Sequence, residues 1–254
     1  AKYDTLINVP MAIPYALSAS IVPSLTAVVT AGTRKQVHYK IDQTIRLTMF
    51  LTIPCGVGFI ALASPLMVLL YNDAGATPAN LLMLGSAVVV LYGWSSVSNS
   101  VLHGLNHMSS PAKNAGISLV IHLAAFVIMM TVFRMNVYAL VCSNIVFALC
   151  MCYLNQRKIR KICGFRVNIV HTFVKPLIAA LVMGVVAYAV HLVLDLLIGG
   201  RYIPTIIAIL AAVVVYFVIV LKIGTLSEDD IEALPMGARL LRLCKHLHLL
   251  PAER

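Results

Sequence analysis

Residues 203–222 read IPTIIAILAAVVVYFVIVLK, and the nineteen residues before Lys222 carry no charge. At 1.5 Å per residue such a helix reaches about 28 Å, close to the ~30 Å of bilayer hydrocarbon. Six further stretches of this kind run over 5–30, 44–70, 77–102, 114–133, 136–154 and 171–194. None shows the ten-residue alternation of a lipid-facing strand. The pattern predicts an all-α polytopic membrane protein with about seven transmembrane helices.

Composition agrees. Apolar residues make up 61% of the 254 residues and charged residues 11%, and the mean hydropathy is +0.94. Water-facing domains typically carry about 25% charged residues, so this chain cannot cover itself with charge. The net charge of +10 does not mark nucleic acid, because the cations lie between apolar runs and form no stripe interleaved with aromatics.

Their placement carries topology instead. Arg34, Lys35 and Lys40 follow the first span, Lys113 follows the third, and Arg157, Lys158, Arg160, Lys161 and Arg166 follow the fifth. The intervening connections hold only Arg134 and Arg201, so nine cations stand on one side against two. Positive residues concentrate on the cytoplasmic side. The first span is therefore expected to start outside and the tail to end in the cytoplasm. An outside start without a signal peptide suits the second half of a larger transporter.

Cys55, Cys142, Cys150, Cys152, Cys163 and Cys244 make no paired metal spacing and no secreted disulfide framework, and are read as small packing residues. The segment 226–254 begins with Ser227, Glu228, Asp229 and Asp230. It then places Leu240, Leu243, Leu247 and Leu250 at helical spacing, with Arg239, Arg242 and Lys245 off that stripe. It is expected to be a cytoplasmic amphipathic tail on anionic lipid, separate from the helical lobe at 1–225.

Several spans depart from plain lipid-facing helices. The first carries Asn8, Pro10, Pro14 and Pro23, and each proline removes a backbone donor and can break the helix. Freed carbonyls are tolerated where neighbours or a cavity satisfy them, and broken helices in transporters line substrate paths. The second span holds Pro54, Gly56, Gly58 and Pro65, suited to bending or close packing. Asp42 and Arg46 at its start are spaced for an i,i+4 pair. The third ends in Ser95, Ser96, Ser98, Asn99 and Ser100, followed by His103 and Asn106. Asn99, His103 and Asn106 recur at helical steps, as in a cavity wall, a gate or a set of interhelical hydrogen bonds. His122 lies deep in the fourth span, where an ionisable side chain points to a proton relay, a substrate contact or a bond to a neighbouring helix. His171, Lys175 and His191 near the ends of the sixth span are expected to snorkel. No P-loop, nucleophile elbow, HExxH or paired carboxylates occur, which argues against an enzyme.

Four stretches together resemble one family. They are NVPMAIPYALSASIVPSLT at 8–26, IPCGVGFIALASPLMVLLYN at 53–72, VLHGLNHMSSPAKNAGISLVIH at 101–122 and LSEDDIEALPMGARLLRL at 226–243. They are similar to the polysaccharide-export and lipid-flippase branch of the MATE-like superfamily, and the last resembles the C-terminal signature of proteins like stage V sporulation protein B. The resemblance implies one lobe, spans 8 to 14, of a two-lobed transporter in the bacterial plasma membrane. Such a transporter exports or flips undecaprenyl-linked cell-wall or polysaccharide precursors by alternating access. It implies a lipid-linked sugar, membrane lipids and the other lobe as partners. It implies no cofactor beyond coupling to sodium, protons or membrane potential. Where lipid II flippases of the superfamily place a basic residue in this first span, the sequence has Thr5. Where many relatives carry Asn, it has His122. A drug or organic-cation antiporter would call for acidic cavity residues, of which the spans hold almost none beyond Asp4. A membrane scaffold docking partners through 157–166 and the tail is the reading from another class.

Overall fold

The computed structural model describes residues 2–31, 33–73, 75–199 and 202–224. The tail at 226–254, Arg201, and the side chains of Lys2 and Asp4 lie outside the described residues.

Among the described residues eight α-helices follow one another: α1 (Lys2–Ala31), α2 (Arg34–Ala61), α3 (Ala63–Tyr71), α4 (Ala76–Gly104), α5 (Ser109–Thr131), α6 (Val137–Cys163), α7 (Lys175–Ile198) and α8 (Ile203–Ile223). A π-helical turn, Val170–Val174, leads into α7. All but α3 are long and apolar enough to span a bilayer, giving seven candidate spans among the described residues. The protein is a multi-pass membrane protein.

Three boundaries differ from the reading of apolar runs. The second helix begins at Arg34 and not near 44, because Thr33 starts it: its N–H donates to Gln36 Oε1 at 3.1 Å, half of a capping box. Arg34, Lys35 and Lys40 therefore ride on α2, and the expected Asp42–Arg46 pair forms there at 3.5 Å. The same helix stops at Ala61, where Pro65 denies the Ala61 carbonyl its i+4 donor and crowds it. The chain turns at Leu62 and restarts as α3. At the other end, α6 runs on to Cys163, so Arg157, Lys158, Arg160 and Lys161 lie on a helix and not in a loop.

The first span is not broken either. Helix α1 continues through Pro10, Pro14 and Pro23. Ile7, Met11, Pro14, Ser18, Ile21 and Leu25 form its buried stripe, at alternating steps of four and three that make a knobs-into-holes seam. The seam lies against α4, where Ser18 and Ser96 hydroxyls meet at 2.9 Å.

Helices α2 and α4 form the centre. Helix α1 packs on both, α6 on α4, α5 on α6, and the α7–α8 pair on α2. The α2–α4 crossing is close because Gly93 faces a ladder of threonines. Thr44, Thr48 and Thr52 each bond back to the carbonyl four residues earlier. A Cβ at Gly93 would stand 2.7 Å from the Thr52 methyl. Lys175 reaches the Ile223 carbonyl at 3.4 Å, so it does not simply snorkel but places a cation at the C-terminus of α8.

Candidate functional site

A groove of about 300 Å³ runs between α2 and the α7–α8 pair, with Pro10 of α1 and Leu66 of α3 also in its lining. Its floor is the proline-containing stretch of α2: Phe50, Pro54, Cys55 and Gly58. Met183 and Ala187 of α7 and Ala212, Tyr216 and Phe217 of α8 form the facing wall. The lining is almost wholly apolar. Apart from the Cys55 thiol and the Tyr216 hydroxyl, such a surface fits hydrocarbon.

Pro54 explains a polar contact at the groove. A proline at 54 has no N–H to give the carbonyl of Phe50, four residues before it. Tyr216 fills that place: its hydroxyl donates to the Phe50 carbonyl at 2.8 Å. The ring stacks on Phe50 with centroids 5.4 Å apart. A buried carbonyl orphaned by sequence is thus satisfied from a helix at the far end of the chain, and the bond holds α8 against α2.

A second polar feature links α4, α5 and α6. Asn155 of α6, fully buried, donates to Asn99 Oδ1 at 2.7 Å and accepts from Asn114 Nδ2 at 2.8 Å. The three amides tie three helices in a line. Interhelical hydrogen bonds in membranes are individually modest, about 0.6 kcal/mol on average and up to ~1.7. Asn155→Ala severs two at once and is expected to lower stability by about 1 to 2 kcal/mol, read as earlier unfolding in detergent, while Asn114→Ala alone costs about half as much.

The residues singled out from sequence distribute over several places. Pro10 lines the groove. Asn8 is exposed and Pro14 is buried in the seam. Asn99 belongs to the amide line. His103 is half-buried in the last turn of α4. Asn106 does not share its face: α4 ends at Gly104 and Asn106 takes a left-handed φ of 61°. The Asn106 N–H bonds the His103 carbonyl and that of His107 bonds the Leu102 carbonyl, both at 2.9 Å. That is the Schellman arrangement, with Asn in the place usually held by Gly. His122 is half-buried, and its ring meets Phe147 of α6 edge-on at 5.9 Å. Its buried Nδ1 has no hydrogen-bond partner among the described residues. Asn114, Asn155 and Tyr216 were not singled out; for Tyr216 the available signal was Pro54, which announces an orphaned carbonyl without saying what answers it.

Comparison with known proteins adds the family. The family described as "Lipid II flippase MurJ" matches residues 4–207. The lipid II flippase MurJ of Bacillus subtilis (strain 168) is 31% identical over 119 residues, which cover 46% of this chain and 21% of that protein. The match thus takes in about a fifth of the relative's length.

Proposed function

Because the chain belongs to the lipid II flippase MurJ family, we propose that it forms one lobe of a transporter that moves an undecaprenyl-linked cell-wall precursor across the bilayer by alternating access. Flipping makes and breaks no covalent bond, so this is transport and not enzymology.

The observation that carries the reading is the apolar groove over α2. A lipid-linked sugar poses a divided problem. Its polar head must cross about 30 Å of hydrocarbon, while its tail has no reason to leave it. The groove between α2, α7 and α8 suits the tail. The exposed face of α1, with Asn8 beside the groove-lining Pro10, suits the head. The carbonyls of Pro10 and Ala19, which lose their i+4 donors to Pro14 and Pro23, are further acceptors for sugar hydroxyls. Asn99, His103, Asn106 and His122 then serve the path indirectly, by fixing α4 and α5. Residues 1–225 act as the lobe and 226–254 as a tail on the membrane surface. The nine cations at one end of the bundle set that end in the cytoplasm. Coupling to sodium, protons or membrane potential completes the cycle. A narrower likeness, to stage V sporulation protein B and a sporulation role, rests on the tail signature at 226–243.

The test is depletion of the full-length protein in its host. Lipid-linked precursor is expected to accumulate on the inner leaflet and to become inaccessible to an externally added modifying enzyme. Undiminished outer-leaflet labelling would overturn the reading in favour of a scaffold. Gradient-driven export of organic cations by the purified protein would favour an antiporter.

A further inference from the structure

The last turns of α6 carry a second cavity, on the side of the bundle away from the groove. Tyr153, Gln156, Arg157 and Arg160 enclose about 320 Å³. Their spacing of i, i+3, i+4 and i+7 makes one stripe of the helix. Helix α6 packs on α4 and α5, whereas α1, α2, α3, α7 and α8 wall the groove. The two cavities share no residue.

We infer that this cavity binds the head group of an anionic phospholipid with a free hydroxyl, of the phosphatidylglycerol type, as a bound lipid distinct from the transported one. Four observations converge on it. The first is depth. Arg160 and Arg157 lie three and six residues before the helix end at Cys163, about 4.5 and 9 Å inside it. The guanidinium groups therefore reach head-group level, and the exposed Tyr153 phenol sits below them in the interfacial zone. The second is charge. No carboxylate pairs with either arginine among the described residues: Asp42 is held by Arg46, and Asp195 stands near the opposite end of α7. Arginine presents a planar fork that matches phosphate oxygens two at a time. Lys113 stands at the same depth, since its neighbour Asn114 bonds Asn155 beside Gln156.

The third observation selects the head group. Gln156 lines the cavity, and its Oε1 is buried with no partner among the described residues. An ionised phosphodiester has no proton to offer it, but a glycerol hydroxyl does. The fourth is the acyl path. Leu149, half exposed at 51%, continues the stripe one turn deeper, beside the exposed apolar face of α5 that includes Ile117 and Val120.

The experiment uses the full-length protein in detergent, with binding of defined lipids followed by native mass spectrometry. The Arg157→Gln/Arg160→Gln double variant is expected to bind phosphatidylglycerol about tenfold more weakly, with phosphatidylcholine binding unchanged. Arg157→Lys/Arg160→Lys keeps the charge and is expected to lose less. Gln156→Leu is expected to abolish the preference for phosphatidylglycerol over phosphatidylmethanol, a diester of the same charge without the hydroxyl. An equal loss in Lys35→Gln/Arg166→Gln, which removes the same charge elsewhere, would overturn the site in favour of a diffuse field. Displacement of phosphatidylglycerol by equimolar undecaprenyl pyrophosphate would overturn it in favour of the transported lipid. Tighter binding after Glu228, Asp229, Asp230 and Glu232 are changed to amides would give the cavity to the tail.

Discussion

Replacing Gly58 with tryptophan is expected to abolish translocation while leaving a folded, membrane-inserted protein. Gly58 is on the floor of the groove. A Cβ built there meets only the Met183 terminal methyl, at 4.0 Å. The position is thus open space, and the indole would occupy it without displacing backbone. Gly58→Ala is the control: it adds one methyl, removes the conformational freedom of a mid-helix glycine, and is expected to raise stability by about 0.5 to 1 kcal/mol with transport intact. The measurement is precursor translocation normalised to protein abundance in membranes. A fall of at least about tenfold, equivalent to ~1.4 kcal/mol in the limiting barrier, is expected for tryptophan. Full transport in that variant would show that the groove is not on the path.

The second large effect is at Tyr216. Tyr216→Phe keeps the ring stacked on Phe50 and removes only the hydroxyl that serves the Phe50 carbonyl. A buried acceptor stripped of its partner costs about 1 to 3 kcal/mol. The loss should appear as a lower unfolding midpoint in detergent. A cycle makes the cause specific: Pro54→Ala restores an N–H to the same carbonyl, so Tyr216→Phe is expected to cost much less in that background. Equal costs in both backgrounds would mean that the hydroxyl acts elsewhere.

The spans were legible because lipid imposes one rule on every residue it touches, so composition alone locates them. Their ends were less so, because charge marks the edge of the hydrocarbon and not the edge of the helix. Helix α2 therefore starts ten residues before its apolar run, and α6 outlasts its own by nine. Helical spacing misplaced Asn106, since counting by threes and fours assumes a helix that Asn106 itself ends. Asn155 was hidden by its neighbours: Gln156, Arg157 and Lys158 made it look like the start of a loop, whereas it is the most buried amide in the amide line. The groove was the least legible feature. Leu, Met and Ala facing a cavity are the same residues as those facing lipid, and Pro10, Pro54, Cys55, Gly58 and Tyr216, which differ from that background, are scattered over three helices.

The bond between Tyr216 and Phe50 joins residues 166 positions apart. At roughly 5 to 20 residues per second, α2 leaves the ribosome about 10 to 30 s before its donor exists. During that interval Pro54 leaves a bare carbonyl in a helix already bound for the bilayer. Until α8 arrives, water or a neighbouring helix has to serve that carbonyl, so the pairing of α8 with α2 is a late step in the assembly of this lobe.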